Sequence, residues 1–596
     1  MSSHSFFEQN LNRYHLSAGK LSQQMILVAG LRIVVFVGGL IMGLFLVNER
    51  MLISALVVLV IAGLAFALLV KYYNRIQSQY IHLKNMVLIN QQELMRLEND
   101  YKSIGDGHEF YQKGHPYASD LDLFGENSIF QFINRTSTIF GREQLSQLLL
   151  SGTTRNGILE NHAAVKELAD YPEWCQHYQA YGLGCTFGTK ERASLQEWLS
   201  QEPAIRWSLS LKMSRIIAPL LFVAVIAYCY LTSTTYYLVL PFIIINGVVL
   251  AMYWKRTTEV VEMTSGSLVL LKALKNQIRM VVTSSFSSGQ LAAFRKFFLS
   301  EENNAGNEIM RLQRMLDQLE SRRNMLHIFI NLPLLLDIHW MYQLEHWKRK
   351  NKDHIVQWFE SLGKLEVLIS FSGIDINNSN WVFPIPSDDP FQVEATDMGH
   401  PLIDEAKRKY NDYSSIGKGK ISVLTGPNMA GKSTFLRTLA VNLVMAKMGA
   451  PVCAKKFLFD PELHVFAAMR VADDLSESVS SFYAELERIR QLLEIIEKGI
   501  SVFFVLDEVL KGTNSSDRHM GAVALIKQLS QVQASGVIST HDLDLGKLAS
   551  EMPNISNACF ESRLEGDEIK FDYQLKEGIS SSFNACDLMR KMGIDI

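Results

Sequence analysis

Residues 421–440 restrict this chain's folding more than any other stretch. Ile421-Ser422-Val423-Leu424 reads as a buried strand and runs without a break into Thr425-Gly426-Pro427-Asn428-Met429-Ala430-Gly431-Lys432-Ser433-Thr434. Phe435-Leu436-Arg437-Thr438-Leu439-Ala440 then has the pattern of a helix. A strand, a glycine-bracketed turn and a helix in that order predict a three-layer α/β domain built on a mostly parallel sheet, with a P-loop at its centre. The spacing G-x-x-x-x-G-K-S lets the glycines turn successive N–H groups inward, while the helix offers its positive end to an anion. Residues 426–434 are therefore expected to hold the phosphates of ATP, with Lys432 reaching the β- and γ-phosphates and the Ser433 hydroxyl on Mg²⁺.

A second stretch fits the same domain. Val502-Phe503-Phe504-Val505-Leu506-Asp507-Glu508 is continuously apolar until it ends in two acids, as a buried parallel strand does when its carboxyl end faces a nucleotide. Asp507 is expected in the Mg²⁺ shell, and Glu508 is expected to polarise the attacking water. Val537-Ile538-Ser539-Thr540 is a further apolar strand, and His541 at its end is expected to meet the γ-phosphate or that water.

The words around these motifs resemble the MutS mismatch-repair ATPases. The resemblance rests on residues 426–434 with Leu436-Arg437, where the family usually has glycine in place of Ala430. It rests also on Asp507-Glu508-Val509-Leu510-Lys511-Gly512-Thr513-Asn514, on Asp473-Asp474-Leu475 followed by Ser480-Ser481-Phe482, and on Ser539-Thr540-His541-Asp542, in family order. It is strong over residues 399–596, with a weaker echo of the family's core and lever start in Leu121-Asp122-Leu123-Phe124-Gly125 and Asn134-Arg135-Thr136. It implies a homodimer in which each nucleotide is closed between one subunit's loop and the other's signature helix, with Ser480 capping the γ-phosphate. It implies too that Gly399-His400-Pro401-Leu402 and Asn411 help hold the adenine. The chain departs from the family pattern at Ser476, Glu477, Ser478 and Val479, where glycines are usual; Glu477 has to point away if the trans contact forms. No segment resembles the family's mismatch-reading domain with its phenylalanine wedge.

The remainder is unlike a soluble enzyme. Residues 51–70 hold twenty residues without a charge, enough at helical rise to cross a hydrocarbon core of about 30 Å. Residues 33–47 are equally apolar but shorter, so that helix is expected to begin near Met25 and to carry Arg32, whose head can snorkel to the headgroups. A second pair is expected at 216–231 and 236–252. Basic residues flank the outer ends of both pairs: Lys20 and Lys71 at the first, Arg215 and Lys255 at the second. That puts the outer ends, and all the globular parts, on the cytoplasmic side of a multi-pass inner-membrane protein. The run 325–340, interrupted by Asn331, Pro333, Asp337 and His339, reads as a buried or interfacial helix.

The expected organisation is a cytoplasmic segment 1–24, a transmembrane hairpin 25–70, a helical core and lever region 71–215, a second hairpin 216–254, further lever helices 255–385, and the ATPase domain 386–596. With 58 basic and 61 acidic residues the chain is no strongly basic nucleic-acid binder. Six scattered cysteines without a C-x-x-C pair point to reduced thiols. The function these features imply is a membrane-anchored ATPase that couples a composite dimer site to lever movement, with DNA as partner by resemblance. The alternatives are an ATP-driven transporter, disfavoured by the missing Leu-Ser-Gly-Gly-Gln signature, and a nucleotide-gated scaffold that does not bind DNA.

Overall fold

The computed structural model describes residues 3–184, 188–300, 304–324, 327–470, 481–565 and 568–580. Two helices of 46 residues, Ser3–Asn48 and Leu52–Leu97, form an antiparallel hairpin that turns at Glu49 and Arg50. Each is about 69 Å long at helical rise, more than twice a hydrocarbon core, so both run on past the apolar stretch without a break. They approach closely at Gly39 and Gly43, where a Cβ on Gly43 would lie 2.8 Å from Leu59 Cδ2. Small residues four apart let two helices pack backbone to side chain where no hydrophobic effect drives them together. The Arg32 guanidinium rests 4.6 Å from the ring centre of Tyr73 on the opposite helix.

The second pair, Leu209–Thr232 and Tyr237–Ser265, is likewise long and apolar enough to cross a membrane, as are both helices of the first. Their outer faces are bare: Leu56, Leu64, Leu220 and Ile244 are each more than 60 % exposed. The run 325–340, read above as one helix, is broken. His327–Leu334 ends just after Pro333, Leu335 takes a left-handed φ of 50°, and a 42-residue helix, Leu336–Asn377, starts afresh. Proline's missing N–H and ring clash explain the interruption.

That long helix is the spine of the helical region. Glu366, in its middle, is buried and accepts hydrogen bonds from Ser137 N and Oγ (3.0 and 2.7 Å) and from Thr138 N (3.0 Å), pinning the turn before the helix Ile139–Ser151. Near its end Asn377 donates to Glu93 at 2.7 Å, and Glu93 also pairs with Arg96 and Arg135 at 2.9 Å each. The first hairpin, the lever turn and the spine are thus tied through one buried acid. Lys272 and Arg279 lie exposed on one solvated face of the helix Ser267–Thr283.

The C-terminal region is a mixed α/β domain. Its larger sheet runs Lys576–Glu577, Ile555–Cys559, Ile421–Thr425, Ala534–Thr540, Val502–Asp507, His464–Ala468, parallel throughout except for the first, antiparallel edge strand. Every residue of Ile421–Thr425 and Ala534–Thr540 is buried, which is why these segments carry no polar alternation. The register sets Thr425 beside Thr540, and Asp507 beside Ser539, so three strand ends form one ledge. A smaller sheet, Ile385–Pro386, Lys456–Phe459, Val393–Met398, Asn411–Ser415, completes the domain.

The edge strand His464–Ala468 is covered by the lever. Ala467 N donates to Pro116 O at 3.0 Å, and Met469 N and Arg470 N both donate to Asp120 Oδ1, at 2.7 and 2.9 Å. An exposed sheet edge is thereby closed by a segment of the helical region.

Candidate active site

The ledge of strand ends positions the polar residues. From Ile421–Thr425 the chain turns at Gly426 (φ 149°), passes Met429 (φ 66°, 81 % exposed) and enters the helix Lys432–Met448 from Gly431 (φ 105°). A Cβ on Gly426 would stand 2.8 Å from Phe560 O, so backbone packing as well as φ requires glycine there. Among the described residues no acceptor meets the N–H groups of residues 428–434, which include the three orphan donors of the helix's first turn. Ser433 and Thr434 are exposed on that turn. Pro427, Asn428 and Ala430 fill the loop between the two glycines.

Lys432 is only 5 % exposed and folds back over the loop, its Nζ donating to Gly426 O at 2.8 Å and Pro427 O at 3.0 Å. Burial lowers its pKa, while the carboxylates of Glu508 and Asp507 oppose that shift. His541 Nε2 lies 3.5 Å from the ammonium and 2.6 Å from Glu508 Oε1. The other Glu508 oxygen meets Lys511 Nζ at 3.0 Å. The His541 hydrogen bond, aided by Lys511, holds the Glu508 pKa down at about 2 against the effect of burial. Asp507 Oδ1 accepts the Ser539 hydroxyl, leaving Oδ2 unengaged among the described residues. The four residues expected to do the chemistry, Lys432, Asp507, Glu508 and His541, therefore converge at one end of the sheet.

Backbone conformation here is unusual as well. Glu508 (φ 53°) and Leu510 (φ 63°) join Met429 in the left-handed region. Strained non-glycine residues of this kind cluster at functional sites. Glu485, on the helix Ser481–Glu497, is partly buried beside residues 510–512, and burial raises its pKa; Phe482 of the same helix packs on Gly512, where a Cβ would stand 2.9 Å from the Phe482 Cα. The loop after the acidic strand is thus fixed to the helix that follows the signature segment. Ser480 and Glu477 lie outside the described residues.

Asn411 is held against the C-terminal segment. Its side chain donates to Tyr573 O at 3.1 Å and accepts from Leu575 N at 2.7 Å, clasping the C-terminal segment. That clasp sets the Tyr573 ring against the loop, where a Cβ on Gly431 would be 3.1 Å from Tyr573 Cδ1. His400 is partly buried, and its pKa is lowered to about 4 by desolvation, then by Arg437 and Arg408. Sequence reading missed Lys511, Ser539, Glu485 and Tyr573 as site residues. The first three sit within a few positions of the motifs that were read, and only Tyr573 had no local signal.

Residues 422–592 match the family model for MutS domain V. This part of the chain is similar to the MutS family. Its MutS region is 28 % identical over 250 residues to the DNA mismatch repair protein MutS of Thermotoga neapolitana, covering 42 % of this chain and 30 % of that protein. The DNA mismatch repair protein MutS of Acetivibrio thermocellus is 28 % identical over 241 residues (39 % of this chain, 27 % of that one), and that of Persephonella marina 27 % over 245 residues (41 % and 28 %). The chain thus matches about three-tenths of the length of these MutS relatives.

Proposed function

We propose that the MutS domain binds and hydrolyses ATP, and that four helices anchor it at the inner face of a membrane. The observation that carries this reading is the meeting of Lys432, Asp507, Glu508 and His541 at the carboxyl end of a parallel sheet, against a glycine-bracketed loop with unpaired N–H groups. The loop amides and Lys432 bind the phosphates. Ser433 and the free oxygen of Asp507 would hold Mg²⁺, which neutralises phosphate charge. Glu508, kept ionised by His541 and Lys511, orients the attacking water, and His541 stands where it can report on the γ-phosphate. Ser480 of a second copy completes the site, and Asn411 acts on the adenine pocket indirectly by holding Tyr573. The lever contact through Asp120 then links nucleotide state to the helices.

The relatives' names make DNA the partner to test. The purified full-length protein is expected to hydrolyse ATP, Lys432→Ala to lose nucleotide binding, and Glu508→Gln to bind ATP without turning it over. Wild-type turnover in both variants removes the site assignment. Gel shifts with duplex, mismatched and branched DNA across a salt series decide the DNA arm.

A further inference from the structure

His327–Leu334 leaves Ile328, Phe329 and Ile330 exposed at 47, 70 and 53 %, on a segment outside the four long apolar helices. Its surroundings say what covers it. Asn246, buried in the apolar first half of the helix Leu240–Ser265, donates its amide to Leu332 O at 2.9 Å and Pro333 O at 3.3 Å. A Cβ on Gly247 would lie 3.5 Å from Leu332 Cδ2. At the other end of the segment, Arg322 sits 4.3 Å from the ring centre of Trp254 and 2.8 Å from Asp337, which also meets His327 at 3.2 Å. Asn246 and Trp254 lie eight residues apart on one helix, about 12 Å along its axis. The charged base of the segment is therefore level with an interfacial tryptophan, and its apolar tip reaches about 12 Å deeper.

Two costs cancel in that contact. An asparagine inside an apolar span is expensive, and a helix that stops within hydrocarbon leaves its last carbonyls without donors. In water the carbonyls of Leu332 and Pro333 would need no such partner. At the tip Asn331 Oδ1 accepts from Asp337 N at 3.0 Å, so the chain reverses with its polar groups paired internally.

We propose that residues 327–335 are the tip of a re-entrant loop that enters the bilayer beside the second helical pair, mooring the long helix Leu336–Asn377 directly in lipid. Acyl chains are the occupant of the Ile328, Phe329, Ile330 face, because the segment packs on both helices of the second pair, whose Leu220 and Ile244 are equally bare and apolar. The inference rests on the membrane reading above.

The test uses full-length protein with its six cysteines replaced by alanine, reconstituted in phosphatidylcholine and phosphatidylglycerol vesicles. A polarity-sensitive fluorophore is attached to Phe329→Cys, to Leu56→Cys in the first hairpin, or to Lys272→Cys on the solvated face. Nitroxide on the acyl chains is expected to quench position 329 as it quenches 56, while iodide in the buffer quenches only 272. Adding Asn246→Leu is expected to raise iodide quenching at 329. Position 329 behaving like 272 while 56 behaves as lipid-buried overturns the re-entrant tip alone; position 56 open to iodide overturns the membrane reading and the tip with it.

Discussion

Arg470 lays its guanidinium across Asp122 in a two-pronged pair, Nη1 to Oδ1 at 2.5 Å and Nη2 to Oδ2 at 2.8 Å. Arg437, from the helix that begins at Lys432, reaches the same carboxylate at 3.3 Å. Two residues upstream, buried Asp120 accepts from Met469 N, Arg470 N and Arg488 Nη2. One short segment of the helical region thus holds the helix Lys432–Met448, the edge strand and the helix Ser481–Glu497 together. The two acids differ in exposure, and that sets their weights. Asp122 and Arg470 are partly exposed, so Asp122→Ala is expected to cost less than about 1 kcal/mol. Asp120→Ala strands two backbone N–H groups and removes the carboxylate partner of the partly buried Arg488, which keeps its bonds to Pro116 O and Ala467 O, and is expected to cost about 2–4 kcal/mol. Thermal melts of the two variants side by side check the ranking; equal losses would refute it.

The Glu508 pair makes a pH prediction. Its pKa in the fold, about 2, lies below the ordinary carboxylate value of 4.5. A lowered carboxylate pKa contributes stability that is complete above the unfolded value and disappears as pH falls through the folded one. The Tm difference between wild type and Glu508→Gln is therefore expected to stay constant from pH 8 to pH 5 and to shrink from about pH 4.5 toward 2. For the same reason a loss of turnover at pH 5–6 would have to come from a group other than Glu508.

Gly512 carries a steric prediction. A Cβ there would stand 2.7 Å from Phe482 Cβ, 2.9 Å from its Cα and 3.0 Å from its N. Two of those atoms are backbone, so Gly512→Ala has to push the start of the helix Ser481–Glu497 away from the loop 508–512. The expected cost is about 1–3 kcal/mol, as for other overpacked sites. Gly63→Ala, in a helix with nothing within 4 Å of the added carbon, is expected to be neutral or stabilising, and the pair of melts separates packing from propensity.

What could be read beforehand follows from how local each signal is. The loop 426–434 and the acids at 507 and 508 declare themselves because strand, turn and helix sit next to one another in sequence. His541 was placed at a strand end, but Glu508 follows another strand and Lys432 opens the helix after a third, so only the sheet order brings the three together. Asn411 was assigned to the adenine by resemblance, whereas its clasp on Tyr573 spans 162 residues and leaves no trace in local spacing. The break at Leu335 was half legible: Pro333 marks an interruption, yet only the fold shows that Asn246 pairs the freed carbonyls. The Gly39 and Gly43 contact had a readable signal in the spacing G-x-x-x-G, which the apolar run around it obscured.

His541 supplies the last prediction. It is the residue through which Glu508 and Lys432 are joined, at 2.6 Å to the carboxylate and 3.5 Å to the ammonium. Removing the ring leaves the loop amides and Lys432 to bind phosphate, so His541→Ala is expected to leave the nucleotide Kd nearly unchanged. It also frees Glu508 Oε1 and removes the largest cause of that residue's low pKa, so the carboxylate loses both its orientation and part of its hold on the ionised state. Turnover is expected to fall by about 10²-fold, in the range for a misplaced acid–base group, and its acid limb to move to higher pH. A purely structural histidine would show neither: nucleotide binding would fall together with turnover, and the pH profile of the residual activity would match that of the wild type.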